Sequence, residues 1–293
     1  MRKSRTILSI LFISPAIIII GLIIIYPFFY NIVISFFNTD IFEPANNYFI
    51  GIKNYLYNFK SESFIGALVN TLILTFSSTI IQIIIATIIA IMLNVNMKGR
   101  GIVRSMYLMP WAIGAYVAAY IIRWMFDLNF GIFNQLLSLF GFVEKGIPWF
   151  TSPKLAMLSV IGAHVWKGLP WSTIVILAGL QVVSNDIIEA SRVDGANHWQ
   201  EFRYIVFPML GYIYMVVFIL RVIWEFNWFD FVWLLTRGGP SERTLTLPIQ
   251  VYKTAFLIHD AGKASAIGVV MLTFLIIFVF IFLKVSSTEG ESL

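Results

Sequence analysis

The chain has 293 residues, of which 59% are hydrophobic and 12% are charged, and its formal net charge is +5. Ordinary soluble domains have about 25% charged residues, so this composition excludes a typical soluble globular protein. The absence of cysteine excludes disulfides, thiol catalysis and cysteine–metal sites.

Six apolar segments follow one another along the chain, and each is long enough to cross a hydrocarbon core, which takes about 20 apolar residues. They cover residues 7–37, 66–94, 102–126, 155–181, 209–235 and 264–284. The segments lack the alternation of membrane β-strands, and a helix satisfies its own backbone hydrogen bonds in lipid. We therefore predict an all-α integral membrane protein with six transmembrane helices.

The first segment follows a basic cluster, as the apolar part of a secretory signal peptide does. Its apolar run is longer than that of a signal peptide, and no cleavage site of small residues follows it. We expect it to stay attached as the first span.

The basic residues that set the orientation are Arg2, Lys3, Arg5, Lys98, Arg100 and Arg104. Because basic residues favour the cytoplasmic side, both termini are expected there, with loops 38–65, 127–154 and 236–263 outside and loops 95–101 and 182–208 inside. Because these basic residues flank apolar spans, they indicate contact with the lipid bilayer. No nucleic-acid partner is expected.

Prolines and glycines interrupt several predicted spans. Gly168 and Pro170 predict a bend in the fourth helix, because an internal proline removes a backbone hydrogen bond and clashes with the preceding turn. Pro110 and Gly114 in the third span are interpreted as a packing kink.

The inner loop at 182–208 contains no apolar run and predicts two short polar helices on either side of Gly195. Glycine allows the chain to turn at positive φ without steric cost. We expect this loop to project from the membrane as a bent element.

The same loop reads EASRVDGANHWQEFRYIVFPML from Glu189 to Leu210. It resembles the EAA motif of binding-protein-dependent ABC permeases, which is E-A-A, three residues, G, nine residues, I, one residue and L-P. The matching positions are Glu189, Ala190, Ser191, Gly195, Ile205, Phe207 and Pro208, with serine and phenylalanine in place of the usual alanine and leucine. Further segments are similar to the maltose and glycerol-phosphate type of sugar permease: GIKNY at Gly51–Tyr55, NMKGRGIVRSMYLMPW at Asn96–Trp111, IPWF at Ile147–Phe150, WKGLPW at Trp166–Trp171 and LLTRGGP at Leu234–Pro240.

The resemblance implies the fold of a type I ABC importer permease in a prokaryotic cell membrane. Residues 1–65 would be the first span and external loop, 66–284 the permease core with its coupling loop at 182–208, and 285–293 a short cytoplasmic tail. The implied partners are a second, homologous permease in a heterodimer, two ABC ATPase subunits and an external solute-binding protein. The chain has no G-x-x-x-x-G-K-[ST] loop. We expect no cofactor and no catalysis in this chain, and Mg–ATP is expected on the ATPase subunits.

By the same resemblance, the inner loop is a lever that couples the permease to its ATPase. Gly195 would be its pivot, and Glu189 would anchor it. The residues assigned to coupling are Glu189, Ala190, Ser191, Asp194, Gly195, Ala196, Ile205 and Pro208. The competing interpretation, that the polar members are ordinary solvated loop residues, is disfavoured by the family spacing.

Charged side chains within the predicted spans need partners, because an unpaired charge in a bilayer is unfavourable. Arg221 and Glu225 are four residues apart on one helical face and are expected to neutralise each other. In the resembling permeases the sugar lies between the spans that flank the EAA loop. That position corresponds here to His164, Lys167, Gly168, Trp171, Arg221, Trp224 and Glu225. Two interpretations stay open: a substrate pathway, or a structural ion-pair network.

The cargo implied is a sugar, a di- or oligosaccharide, and the intramembrane cations leave glycerol phosphate or another sugar phosphate as the alternative. An ion-coupled secondary transporter is disfavoured because no internal duplication is evident. A membrane-embedded enzyme is disfavoured because no nucleophile–base constellation is evident. His164, His198 and His259 lack metal-ligand spacing, so no metal site is expected.

Overall fold

The computed structural model describes residues 12–40, 42, 47–95 and 98–290. The basic cluster at Arg2, Lys3 and Arg5, on which the predicted orientation of the N-terminus depends, lies outside the described residues. So do the first two residues of the segment that begins at Asn96, and the end of the predicted tail at 291–293.

The described chain is mainly helical. The helices are α1 (Phe12–Ile34), α2 (Lys53–Lys60), α3 (Glu62–Asn94), α4 (Arg100–Ala112), α5 (Ala115–Met125), α6 (Ile132–Leu139), α7 (Ala156–Leu180), α8 (Asn185–Val193), α9 (His198–Met209), α10 (Gly211–Phe226), α11 (Asp230–Thr236), α12 (Leu247–Tyr252) and α13 (Ala261–Gly290). Within the described residues, short π-helical stretches lie at Gly21–Ile25, Phe202–Val206 and Lys253–Leu257. Two short antiparallel strands, β1 (Phe37–Asn38) and β2 (Tyr48–Phe49), pair with each other.

Four described helices are long and apolar enough to cross a membrane: α1, α3, α7 and the part of α13 up to Lys284. Two further spans are bent helix pairs, α4 with α5 at 93° and α9 with α10 at 68°. Counting each bent pair as one span gives six, which confirms the predicted number and the all-α fold.

The third span departs from the single helix that was predicted for 102–126. It breaks after Ala112, because Ile113 and Gly114 have extended backbones with ψ of 132° and 148°. The interpretation of Pro110 and Gly114 as a packing kink was therefore wrong: the helix is interrupted, and its two parts are bent by 93°. The fourth span, in contrast, continues as one helix through Gly168 and Pro170.

The fifth span also differs from the prediction of 209–235. Its helix α10 ends at Phe226, and the short helix α11 begins only at Asp230. Asn227 ends α10 with φ −98° and ψ 2°, and its side-chain amide donates to the carbonyl of Ile223 at 2.9 Å. Hydropathy did not reveal this break because aromatic and aliphatic residues outnumber Glu225, Asn227 and Asp230 around it.

The described chain divides into two compact units. One unit contains the described residues up to Ile65 together with Gln250–Ile277. Here the amide of Asn54 donates to the carbonyls of Ser35 at 3.0 Å and Phe37 at 2.9 Å. Gly262 leaves room for this contact, since a Cβ there would lie 2.9 Å from the Asn54 amide nitrogen. The GIKNY segment therefore joins α2 to the end of α1.

The other unit contains Gly66–Ile249 and the described residues from Phe278 onwards. Its central helix is α7, whose most apolar stretch is 67% buried. Lipid provides no hydrophobic driving force between helices, so close packing and interhelical hydrogen bonds hold such a bundle together. Gly179 permits that packing, because a Cβ there would lie 2.9 Å from the Leu210 side chain. A buried polar row on α3 also faces the interior: Thr71, Thr75, Ser78, Thr79 and Gln82.

Candidate functional site

A cavity of about 520 Å³ opens in the second unit beside α4, α7, α10 and the start of α11. It is lined by Trp111, Lys167, Gly168, Arg221, Ile223, Trp224, Asn227, Trp228, Phe229 and Asp230. Aromatic faces and a few polar or charged groups thus share one concave surface. Four of the predicted pathway residues line it: Lys167, Gly168, Arg221 and Trp224.

The predicted ion pair between Arg221 and Glu225 is present and buried, with Glu225 only 1% exposed. The second carboxylate oxygen of Glu225 lies 2.6 Å from Nδ1 of His164. Gln82 donates from its amide to Glu225 at 2.9 Å and to the carbonyl of His164 at 3.1 Å. His164 and Glu225 therefore belong to a buried network behind the cavity wall.

Gly168 allows this network to approach α7. A Cβ at Gly168 would collide with the guanidinium of Arg221 and lie 2.7 Å from the amide nitrogen of Gln82. The absence of a side chain thus lets Arg221 lie across the helix surface and reach the cavity wall.

Lys167 reaches a different set of partners. Its ammonium donates to the backbone carbonyls of Pro110 at 2.8 Å and Trp111 at 2.9 Å, and to that of Ile113. These carbonyls belong to the end of α4 and the break that follows it. An ammonium has three N–H donors, and Lys167 uses all three on this helix end.

Trp171 lies next to the cavity and does not line it. Its ring packs edge-to-face against Trp224, with the ring centroids 4.6 Å apart. The Arg221 guanidinium carbon lies 5.9 Å from the Trp224 ring centroid. Trp224, at 42% exposed, therefore presents one face to the cavity while its surroundings hold the ring.

Sequence reasoning missed several residues at this site: Gln82, Trp111, Asn227, Trp228, Phe229 and Asp230. Gln82 carried a usable signal, because an amide in the middle of an isoleucine-rich stretch needs a buried partner. Residues 227–230 were hidden inside the predicted fifth span, and Trp111 inside the predicted third span. Nothing in local sequence revealed that both chain breaks open onto one cavity.

The inner loop forms the predicted pair of helices, α8 and α9, and Gly195 between them has φ of +85°. Ser184 caps α8 by accepting from the backbone N–H of Asp186 at 3.2 Å. Asn197 and Gln200 form a reciprocal capping box at the start of α9. We call residues 184–209 the elbow; its second helix, α9, is also the first half of the bent fifth span. Its predicted shape and its turn at Gly195 are confirmed.

The residues predicted to couple the elbow to an ATPase differ in their exposure. Glu189, Ala190, Asp194, Gly195 and Pro208 are exposed, Ala196 and Ile205 are half-buried, and Ser191 is buried. Arg192 and Glu201 join the two helices at 3.0 Å, and this carboxylate raises the pKa of the Arg192 guanidinium. A recess of about 290 Å³ lies at the turn, lined by Asp194, Gly195, Ala196, Gln200, Tyr204 and Ile205.

A buried apolar cluster connects the elbow to the helices of the cavity. Val183, just before the elbow, and Val206, within it, pack in one cluster with Ala90 of α3 and Ile176 of α7. Trp171 packs against the same cluster on its cavity side. The elbow is therefore in packing contact with α7 and, through Trp171, with the aromatic wall of the cavity. Among the described residues, no group of acidic or histidine side chains is placed to hold a metal ion.

A multi-spanning helical bundle with an internal polar and aromatic cavity is the architecture of a membrane transport subunit. The chain belongs to the family of binding-protein-dependent transport system inner membrane components, whose sequence profile matches residues 82–287. It is therefore a multi-pass inner membrane permease, and the family resemblance found in its motifs is confirmed.

Curated relatives extend the similarity over almost the whole chain. The trehalose/maltose transport system permease MalF of Thermococcus litoralis is 31% identical over 95% of this chain and 93% of its own length. The sulfoquinovosyl glycerol transport system permease SmoG of Agrobacterium fabrum is 30% identical over 96% of this chain and 91% of its own. A probable ABC transporter permease of Brucella suis is 29% identical over 99% of this chain and 100% of its own.

Among solved structures, a chain of a bacterial ABC transporter that imports the acidic polysaccharide alginate matches with a TM-score of 0.84. The match covers 97% of this chain and 96% of that chain at 23% identity. At this identity the likeness establishes the fold, which is that of an ABC importer permease.

Proposed function

We propose that this chain is the transmembrane permease subunit of an ATP-driven importer that carries a sugar delivered by an external binding protein. The observation that carries the proposal is the cavity beside α7 and α10, which combines aromatic faces with hydrogen-bonding groups. Sugars need both: an aromatic ring for their C–H faces, and amide or charged groups for their hydroxyls. Relatives named for trehalose/maltose and sulfoquinovosyl glycerol transport support a saccharide cargo.

The charges around the cavity favour a neutral saccharide over a sugar phosphate. Arg221 is paired with Glu225, and the donors of Lys167 are taken by carbonyls. Asp230 adds a carboxylate to the lining. Two cations are thus matched by two carboxylates, so no net positive charge is left for a phosphate. Asn227 and Asp230 supply groups suited to hydroxyls.

The energy for transport comes, in this proposal, from two ATPase subunits that bind Mg–ATP, while this chain holds no cofactor and catalyses no reaction. A second, homologous permease completes the transmembrane pathway. The elbow docks on one ATPase through its exposed residues, including Glu189 and Asp194. The apolar cluster around Val206 and Ile176 then transmits the movement to the cavity.

The test is purification of the tagged chain from its native membrane, followed by reconstitution into liposomes. We expect a second permease and two ATPase subunits to copurify. Uptake of neutral di- or oligosaccharides should require both ATP and the binding protein, and sugar phosphates should not compete. A chain that purifies alone and transports with an ion gradient would overturn the proposal, and competition by sugar phosphates would overturn its cargo class.

A further inference from the structure

The break in the third span creates an end of helix inside the membrane-spanning part of the molecule. α4 ends at Ala112, the chain bends by 93°, and α5 begins at Ala115. The last carbonyls of a helix have no partner within that helix, and an unsatisfied carbonyl is unfavourable in lipid. This break therefore needs donors from elsewhere in the protein.

Lys167 supplies those donors from the middle of α7. Its ammonium donates to the carbonyls of Pro110, Trp111 and Ile113, and the residue is 6% exposed. A cation at the C-terminal end of a helix is also favoured by the helix dipole. Lys167 is thus a tether between α7 and the end of α4.

The tether meets the cavity at Trp111. The carbonyl of Trp111 accepts from Lys167, and the residue itself lines the cavity together with Gly168 and Trp224. The position of this aromatic wall is therefore set by the backbone that Lys167 holds. Because Lys167 has no N–H donor left over, it affects a cargo through Trp111 and not by a hydrogen bond of its own.

We propose that Lys167 is a positioning residue for transport. It fixes the end of α4 to α7, so that the Trp111 wall moves with α7 when the elbow and the apolar cluster move that helix. The proposal rests on the proposed function for the role of the cavity in transport. The state of the tether itself can be measured without any cargo.

The transport test uses the complete transporter in liposomes with the binding protein. Lys167→Met keeps a chain of similar length without donors, Lys167→Arg keeps the charge and several donors, and Lys154→Met is the control at an exposed lysine. We expect Lys167→Met to lower the maximal transport rate about tenfold, as expected for the loss of hydrogen bonds to a charged group. Lys167→Arg should restore most of the rate. The half-saturating concentration of loaded binding protein should change little, because Lys167 is buried.

The tether is measured directly by thiol labelling, for which the chain is suited because it contains no cysteine. Ile113→Cys, at the half-buried break, reports how firmly the end of α4 is held. We expect the labelling rate to rise several-fold in Lys167→Met and to stay near the parent rate in Lys167→Arg and Lys154→Met. Lys167→Met with unchanged labelling would overturn the proposal even if transport were lost, because the lysine would then act on the cargo or elsewhere.

If Lys167→Met fails to assemble with the partner subunits, Lys167→Gln replaces it, since its amide keeps two donors on a shorter chain. The tether predicts labelling rates that increase from the parent through Lys167→Arg to Lys167→Gln. Equal rates in all three proteins would overturn it. Failure of sugar uptake in the parent, with this order of labelling intact, would count against the proposed function alone.

Discussion

At the scale of single residues, Glu225 is the centre of the buried network, with Arg221, His164 and Gln82 as its partners. Removal of one partner from a buried ion pair leaves an uncompensated charge and costs about 3–5 kcal/mol. We therefore expect Glu225→Met to lower the thermal stability of the purified transporter strongly. Arg221→Met with Glu225→Met should recover most of it. Size-exclusion chromatography after heating measures both, with Glu62→Met at an exposed position as the control.

The double variant also decides between the two interpretations of these charges. If it is stable and transports, the pair is structural; if it is stable and does not transport, Arg221 contacts the cargo. A single Glu225→Met variant as stable as the parent would contradict the network itself. The pair could be predicted from sequence because residues four apart share a helical face. Gln82 and the carbonyl partners of Lys167 could not be predicted, because they come from other helices. Periodicity within one helix does not show which residues of another helix it contacts.

Among the elements, the elbow needs Gly195 for its positive backbone φ. It does not need glycine there to avoid a steric clash. Its φ is +85°, and a Cβ at this position would meet nothing within 4 Å. Gly195→Ala should therefore strain the turn by about 1–2 kcal/mol without a clash. We expect ATP hydrolysis to become less coupled to uptake in this variant, measured as sugar carried per ATP hydrolysed. Gly195→Asn should be milder, because asparagine tolerates this conformation.

Gly211→Ala is the matched control. Like Gly195, Gly211 has open space around a Cβ, but unlike Gly195 it has no positive φ. Normal coupling in Gly195→Ala, or an equal defect in Gly211→Ala, would contradict the role of the turn. The elbow was predictable because glycine and the capping residues act locally. The breaks after Ala112 and Phe226 were not, because mainly apolar sequence surrounds both. The first of them is also stabilised by a partner from another helix, Lys167.

Across the described chain, the long apolar helices differ in the share of their residues that is buried. None of the most apolar stretch of α1 is buried and 11% of that of α13 is, against 67% for α7. Apolar side chains exposed on this scale require lipid or a partner subunit. The detergent-extracted chain without its partner permease is therefore expected to aggregate, and coexpression of the partner should shift it to a single peak in size-exclusion chromatography.

The number of crossings places both ends of the chain on one side of the membrane, and labelling can measure which side that is. An even number of spans returns the chain to the side on which it began, and the basic residues near Lys98 and Arg104 favour the cytoplasm for that side. Single cysteines in the cysteine-free chain, each at an exposed position, report it: Lys98→Cys, Phe142→Cys, Val193→Cys and Glu242→Cys. A membrane-impermeant maleimide applied to intact cells should label positions 142 and 242 and leave 98 and 193 unlabelled until the cells are opened. Labelling of Val193→Cys from outside would place the elbow beyond the reach of any ATPase, so that no stroke of a cytoplasmic motor could reach α7 through it.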